Sequence, residues 1–154
     1  MKISRLKIKN YKLFRNVTIE MNDEMNIFVG ENDSGKTTIL EALSMVLTGK
    51  INGNNIVSRV NLDWFNVSIR NSFIETIEAG DTPALPVIEI EVYFSIPEED
   101  EVEIRKFRGT NNSLLEDFHG VKMEIIFDSQ YATACLSLQS LTAMLSATAI
   151  TLTV

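Results

Sequence analysis

A chain of 154 residues, 45% hydrophobic and 23% charged, is long enough for one domain with a real core and has the composition of a soluble globular protein. Its formal net charge of −7 excludes an overall basic field that would gather nucleic acid. Its one cysteine, Cys135, excludes an intramolecular disulfide and points to a reducing, cytoplasmic compartment, and the lysines recurring through Lys9 leave no apolar core for a signal peptide.

Leu6 and Ile8 alternate with Arg5, Lys7 and Lys9, the period of a half-exposed first strand. Val17, Ile19 and Met21 alternate with Thr18 and Glu20 and predict a second. Charge along this stretch is one-sided, because Lys2, Arg5, Lys7, Lys9, Lys12 and Arg15 all precede Glu20, the first acid. Two readings stand: a phosphate- or DNA-facing edge, or the solvated face of an edge strand, which is the commoner arrangement. Asn22-Asp23-Glu24 turns the chain into Asn26–Val29, a short apolar strand. A glycine-bounded loop follows, and then an amphipathic helix from about Lys36 to Leu47, stopped at Thr48-Gly49. Ile51 to Asn55 is a loop. Within Asn61–Ile77 a second helix is expected, with Leu62, Phe65, Ile69 and Phe73 at helical spacing; Trp64 and Phe65 are read as core.

Gly80-Asp81-Thr82-Pro83 is a turn, after which Ile88, Ile90, Val92 and Phe94 alternate with Glu89, Glu91 and Tyr93 in a clean strand pattern. Val102, Ile104 and Phe107 predict a shorter strand, Leu114 to Phe118 a short turn or helix, and Val121, Met123, Ile125 and Phe127 a further strand. Short connections favour antiparallel pairing of the three. His119 has no neighbouring cluster of ligands and is read as a loop residue. From Tyr131 to Val154 no residue is charged. The length approaches a membrane span, but about a third of it is Ser or Thr and no basic anchors flank it, so no membrane helix is expected. Ala149–Val154 alternates like a strand. The segment 129–154 is set apart as an uncharged tail, for which the plainest expectation is a drifted frame or a shortened gene.

The chemistry lies in Gly30-Glu31-Asn32-Asp33-Ser34-Gly35-Lys36-Thr37, which fits the phosphate-binding pattern G-x-x-x-x-G-K-S/T, with Thr38 after it. A polyphosphate needs donors that do not have to be stripped of other partners. The first N–H groups of a helix supply them, and the helix dipole adds positive charge at the same end. Gly30 and Gly35 let the backbone curl into a nest of amides around the β-phosphate. Lys36 is expected to reach the β- and γ-phosphates. The Thr37 hydroxyl is expected on Mg²⁺ and Thr38 near the α-phosphate.

The stretch ISRLKIKNYKLF, followed by NIFVGENDSGKTTILEAL, resembles the start of the ABC-type ATPases related to RecF and SMC proteins. VGENDSGKTTILEAL is most similar to the OLD (overcoming lysogenization defect) family of ATP-dependent endonucleases, and LPVIEIEVYF and GVKMEIIFD look like that family's β-subdomain. The resemblance covers roughly residues 1–128. It implies a lobe that binds ATP between two heads of a dimer and gates work on DNA, in DNA processing or phage defence. It also implies that Lys12, in an N-F/Y-R-like position after the first strand, contacts the nucleotide. The family's LSGG-like signature, Q-loop glutamine, later acids and Toprim nuclease domain have no counterpart: Gln130 and Gln139 fall too late, and no acid follows Asp128. The resemblance therefore implies the first part of a longer ATPase-nuclease.

The expected fold is α+β in the ABC head style, a mixed sheet around the phosphate-loop helix with an antiparallel sheet from Val87 to Asp128, and more strand than helix. The favoured function is ATP–Mg²⁺ binding with little hydrolysis alone, in a homodimer or paired with another ATPase head, with DNA as a partner of the whole assembly. Two alternatives remain: a self-contained NTPase using Asp128 as the Walker B acid, and a non-catalytic fragment that pairs with a full-length ATPase.

Overall fold

The computed structural model describes residues 1–82, 84–97, 108–110, 112–115, 117–127 and 148–153. Strands β1 (Lys2–Tyr11) and β2 (Phe14–Glu20) are followed by helix α1 (Lys36–Thr48), a small ribbon of β3 (Lys50–Ile51) and β4 (Asn54–Asn55), helix α2 (Val67–Glu78), and strands β5 (Ile88–Ser95), β6 (Arg108–Gly109), β7 (Phe118–Phe127) and β8 (Thr148–Thr153). Among the described residues strand exceeds helix, and the α+β expectation holds. The β1–β2 pair and the later strands join in one antiparallel sheet ordered β2-β1-β5-β7-β6, with β8 also on β7.

Alternation decides which face is core. Leu6 lies opposite Val92, Ile8 opposite Ile90, and Ile90 in turn opposite Met123. All five are fully buried on the face that α1 covers. The helix contributes Ile39, Ala42, Met45 and Val46, a stripe at helical spacing. Burying one such aliphatic side chain stabilises by about 1.5–3 kcal/mol, so this face anchors the fold.

The opposite face carries charge in pairs. Arg5 Nε donates to Glu20 at 2.6 Å and Lys9 Nζ to Glu89 at 2.5 Å, while Lys122 reaches Glu124 at 2.7 Å and Glu89 at 3.3 Å. Glu91 is buried there, accepting from the Tyr93 hydroxyl at 2.6 Å and from the Ser113 hydroxyl and N–H. The one-sided basic stretch is thus a solvated face, but not that of an edge strand: β1 lies between β2 and β5, whose acids answer its cations.

Further expectations change, among them the loop read at Ile51 to Asn55, which holds the β3–β4 ribbon. Asn26–Val29 is no strand; among the described residues no strand pairs with it, Ile27 and Val29 are 74% and 89% exposed, and Asn26 spends its amide on a local loop with Asn22. Apolar alternation without a ladder partner does not make a strand. The second helix begins at Val67, after a 3₁₀ turn at Leu62–Trp64, because Asn66 caps it and Phe65 pairs with Tyr11 in a β-bridge. His119 lies in β7 rather than a loop. The strand expected at Val102, Ile104 and Phe107 lies outside the described residues, as do Asp128, Gln130, Cys135 and Gln139.

Candidate nucleotide-binding site

The loop from Gly30 to Gly35 leads directly into α1. Asp33 and Gly35 both have positive φ, 63° and 94°, and the Ser34 N–H closes a turn on the Glu31 carbonyl at 3.3 Å. Alternating handedness of this kind turns successive amides inward. The space at Gly35 is closed by a ring, that at Gly30 only by a serine side chain. A β-carbon on Gly30 would stand 2.6 Å from Ser34 Oγ, and one on Gly35 2.6 Å from Phe14 Cζ. Gly35 caps α1 with no side-chain bond, so the first amides of the helix face the loop's concavity rather than a capping oxygen.

Lys36 folds back over this loop. Its Nζ donates to the Gly30 carbonyl at 2.8 Å, to the Glu31 carbonyl at 2.5 Å and to Ser34 Oγ at 3.2 Å. The ammonium thus spends its donors on the loop's own carbonyls and hydroxyl.

A cleft of about 470 Å³ opens here, lined by Lys12, Leu13, Asn32, Asp33, Gly35, Lys36, Thr37 and Thr38. Seven of the residues expected from the sequence therefore meet in one place. Gly30, Glu31 and Ser34 build the loop that holds Lys36 and do not line the cleft.

Lys12 comes from the turn between β1 and β2, with φ 47°. The turn is clamped: the Lys12 N–H donates to the Trp64 carbonyl at 2.7 Å, its carbonyl accepts from Asn66 Nδ2 at 2.8 Å, and the Asn66 N–H donates to the Asn10 carbonyl at 2.9 Å. Lys12 Nζ pairs with Glu41 of α1 and lies 5.4 Å from the Tyr11 ring centroid. Burial, and then the Glu41 charge, push the Tyr11 hydroxyl far above the usual phenol range, so it stays protonated.

Leu13, Phe14, Glu41 and Asn66 were not foreseen in the site. Glu41 is contained in the VGENDSGKTTILEAL stretch, but nothing local marks its pairing with Lys12. Among the described residues no group of three or more His, Cys, Asp or Glu side chains could hold a metal ion. The Thr37 hydroxyl, which lines the cleft, is an oxygen donor of the kind Mg²⁺ accepts from a protein when phosphates and water supply its other ligands. Among the described residues no helix is long and apolar enough to cross a membrane.

Residues 1–138 match the family described as AAA ATPase domain. The chain is 40% identical over 60 residues to the DNA replication and repair protein RecF of Glaesserella parasuis serovar 5, covering 39% of this chain and 17% of that one. It is 38% identical over 50 residues to RecF of Staphylococcus epidermidis, covering 32% and 14%. The chain thus spans less than a fifth of the length of these relatives. A solved structure from work on ATP-driven dimerization and DNA-stimulated activation of SMC ATPases aligns at 21% identity and TM-score 0.47, over 82% of this chain and 63% of that one. Since the family match runs through the sheet, the phosphate loop and both helices, the chain belongs to the AAA ATPase domain family.

Proposed function

We propose that this chain is the ATP–Mg²⁺-binding lobe of a RecF- or SMC-like ATPase that acts on DNA, and that by itself it binds nucleotide far better than it hydrolyses it. The observation that carries the reading is the convergence of the α1 N-terminus, Lys36, Thr37 and Lys12 on one cleft. On binding, the amides of 32–37 hold the β-phosphate, Lys36 leaves the Gly30 and Glu31 carbonyls for the β- and γ-oxygens, and the Thr38 hydroxyl lies toward the α-phosphate. The Thr37 hydroxyl would hold Mg²⁺, which would supply neutralisation of the phosphate charge.

Hydrolysis asks for more: a positioned water and a second source of charge at the γ-phosphate. Among the described residues the one carboxylate lining the cleft is Asp33, which belongs to the loop itself. Pairing with a second head, in a homodimer or with another ATPase, would supply the remainder. The exposed Met25, Ile27 and Val29 beside the loop support a lobe that packs against further structure. The name of the RecF relatives supports DNA as the target of the assembly. The OLD-like wording of the loop supports a role in phage defence.

Titration with a fluorescent ATP analogue and Mg²⁺ tests the reading, with Lys36→Ala as control. Saturable binding at a Kd below about 1 mM, lost in the variant, is expected. No uptake at millimolar nucleotide, or equal binding by both proteins, overturns it.

A further inference from the structure

We propose that Glu41 is a positioning residue for the nucleotide cleft: it holds the ammonium of Lys12, which lines the cleft together with Lys36, so that a polyphosphate is gripped by two fixed cations rather than one. The inference rests on the nucleotide-binding reading above and adds the group that aims its second cation.

The backbone of Lys12 is already fixed. Its left-handed conformation is one that a non-glycine residue keeps only when its surroundings over-determine it. Here the Trp64 carbonyl and the Asn66 amide hold both of its peptide groups, and Asn66 is only 8% exposed. The side chain is another matter. Four rotatable bonds let a lysine sweep a wide arc of solvent. Glu41 removes that freedom by taking Nζ at a place where the two side chains are 31% and 14% exposed, against the face of the Tyr11 ring.

Placement separates this role from that of a competitor. Lys12 lines the cleft and Glu41 does not, so the carboxylate is not among the groups that a ligand in the cleft meets. An ammonium has three N–H donors; one on Glu41 leaves two for the ligand. Glu41 is also carried by α1, the helix whose first turn forms the amide nest, so nest and second cation share one rigid support. A lone carboxylate beside an anion site opposes the anion. Paired with Lys12, it turns a mobile charge into an aimed one.

Glu41→Gln keeps the shape and removes the charge. Titrated with a fluorescent methylanthraniloyl ATP, the full chain carrying Glu41→Gln is expected to bind about fivefold more weakly and Lys12→Met about tenfold more weakly. In the Lys12→Met background, Glu41→Gln should change affinity less than about twofold, because its effect passes through Lys12. In competition, ATP should lose more than AMP, whereas a general loosening of the fold would weaken both alike. Should Glu41→Gln melt early, Lys12→Arg in place of Lys12→Met asks the same question, since an arginine keeps the Glu41 pair and should restore binding. Glu41→Gln binding ATP as well as or better than wild type overturns the proposal, as does a full fivefold loss persisting without Lys12. If the wild type takes up no nucleotide, or Lys36→Ala binds as it does, the site itself is lost and this inference with it; Lys36→Ala tells the two failures apart.

Discussion

Gly35 meets the ring of Phe14 so closely that a β-carbon at position 35 would stand 2.6 Å from Phe14 Cζ. The contact ties the phosphate loop to the first residue of β2. It also makes Gly35 irreplaceable on two counts, since its φ of 94° is strained for any L side chain. Gly35→Ala is expected to abolish ATP binding and to destabilise by about 1–3 kcal/mol in urea titration. Adding Phe14→Leu relieves the collision and leaves the backbone strain, so the double variant should recover part of the stability and none of the binding. Full recovery of binding would mean that the close approach, not the left-handed turn, shapes the nest.

Lys36 is held by two loop carbonyls and one hydroxyl in the free protein. These bonds are exposed, so Lys36→Ala should change global stability by less than about 0.5 kcal/mol. Locally the outcome differs. With its clasp removed, amide exchange across 30–34 should quicken, and ATP should no longer slow it. Exchange measured with and without ATP, in wild type and variant, checks both statements. Unchanged exchange in the free variant would show that the glycines and the Ser34–Glu31 turn hold the loop without the ammonium.

Asn66 joins three pieces of chain. Its side chain caps α2 by accepting from the Ser68 N–H at 3.2 Å and donates to the Lys12 carbonyl at 2.8 Å, while its backbone bonds Asn10. Asn66→Ala loses the cap, about 1 kcal/mol, and leaves a carbonyl without its buried donor, about 1–2 kcal/mol more. Asn66→Asp keeps the cap and loses the donor, so its urea midpoint should fall between those of wild type and Asn66→Ala. Both should weaken ATP binding by releasing the turn that presents Lys12. An Asp variant as stable as wild type would show that the donor to Lys12 contributes nothing.

The legible parts of this protein were those in which chemistry is local. Two glycines, a lysine and two threonines fit the phosphate-binding pattern within nine residues, and four of the five line one cleft. The alternation of Ile88 to Phe94 and of Val121 to Phe127 likewise gives β5 and β7, whose pairing closes across apolar cross-strand contacts. What escaped depends on contacts distant in sequence. Leu62, Phe65, Ile69 and Phe73 mimic one long helix, but Phe65 is drawn off by Tyr11 and Asn66 restarts the chain as a cap. β1 looked like an edge because its partner β5 comes some eighty residues later, with Lys9 facing Glu89. Ile27 and Val29 read as a strand because their pattern is right; only the lack of a neighbour among the described residues denies them one. Glu41 is an unremarked helix acid until folding sets Lys12 beside it.

The charged face of the sheet predicts a pH dependence whose sign follows from Glu89 and Lys122. Burial alone would raise the Glu89 carboxyl, but hydrogen bonds and charge from Lys9 and then Lys122 outweigh it and hold it below the usual carboxylate range. Burial alone would lower Lys122, but Glu124 and Glu89 outweigh it and hold the ammonium above its usual value. A depressed carboxyl stabilises fully above the unfolded carboxyl value, about pH 4.3, and its contribution drains as the pH falls through the folded value. A raised ammonium stabilises below its unfolded value, about pH 10.4, and loses that as the pH rises through the folded one. Glu89 and Glu124 also face each other across β5 and β7, so Lys122 is needed to make that pair of acids tolerable. Glu89→Gln should therefore be less stable than wild type in urea at pH 7, and the deficit should be smaller at about pH 3, because the contribution of a depressed carboxyl drains once the pH falls below the unfolded carboxyl value. A deficit of equal size at both pH values would assign the role of Glu89 to packing between β1 and β7 and remove the electrostatic account. Lys122→Met probes the same cluster from the other side. It should cost more than Lys9→Met, because it leaves Glu89 and Glu124 opposed with no cation between them.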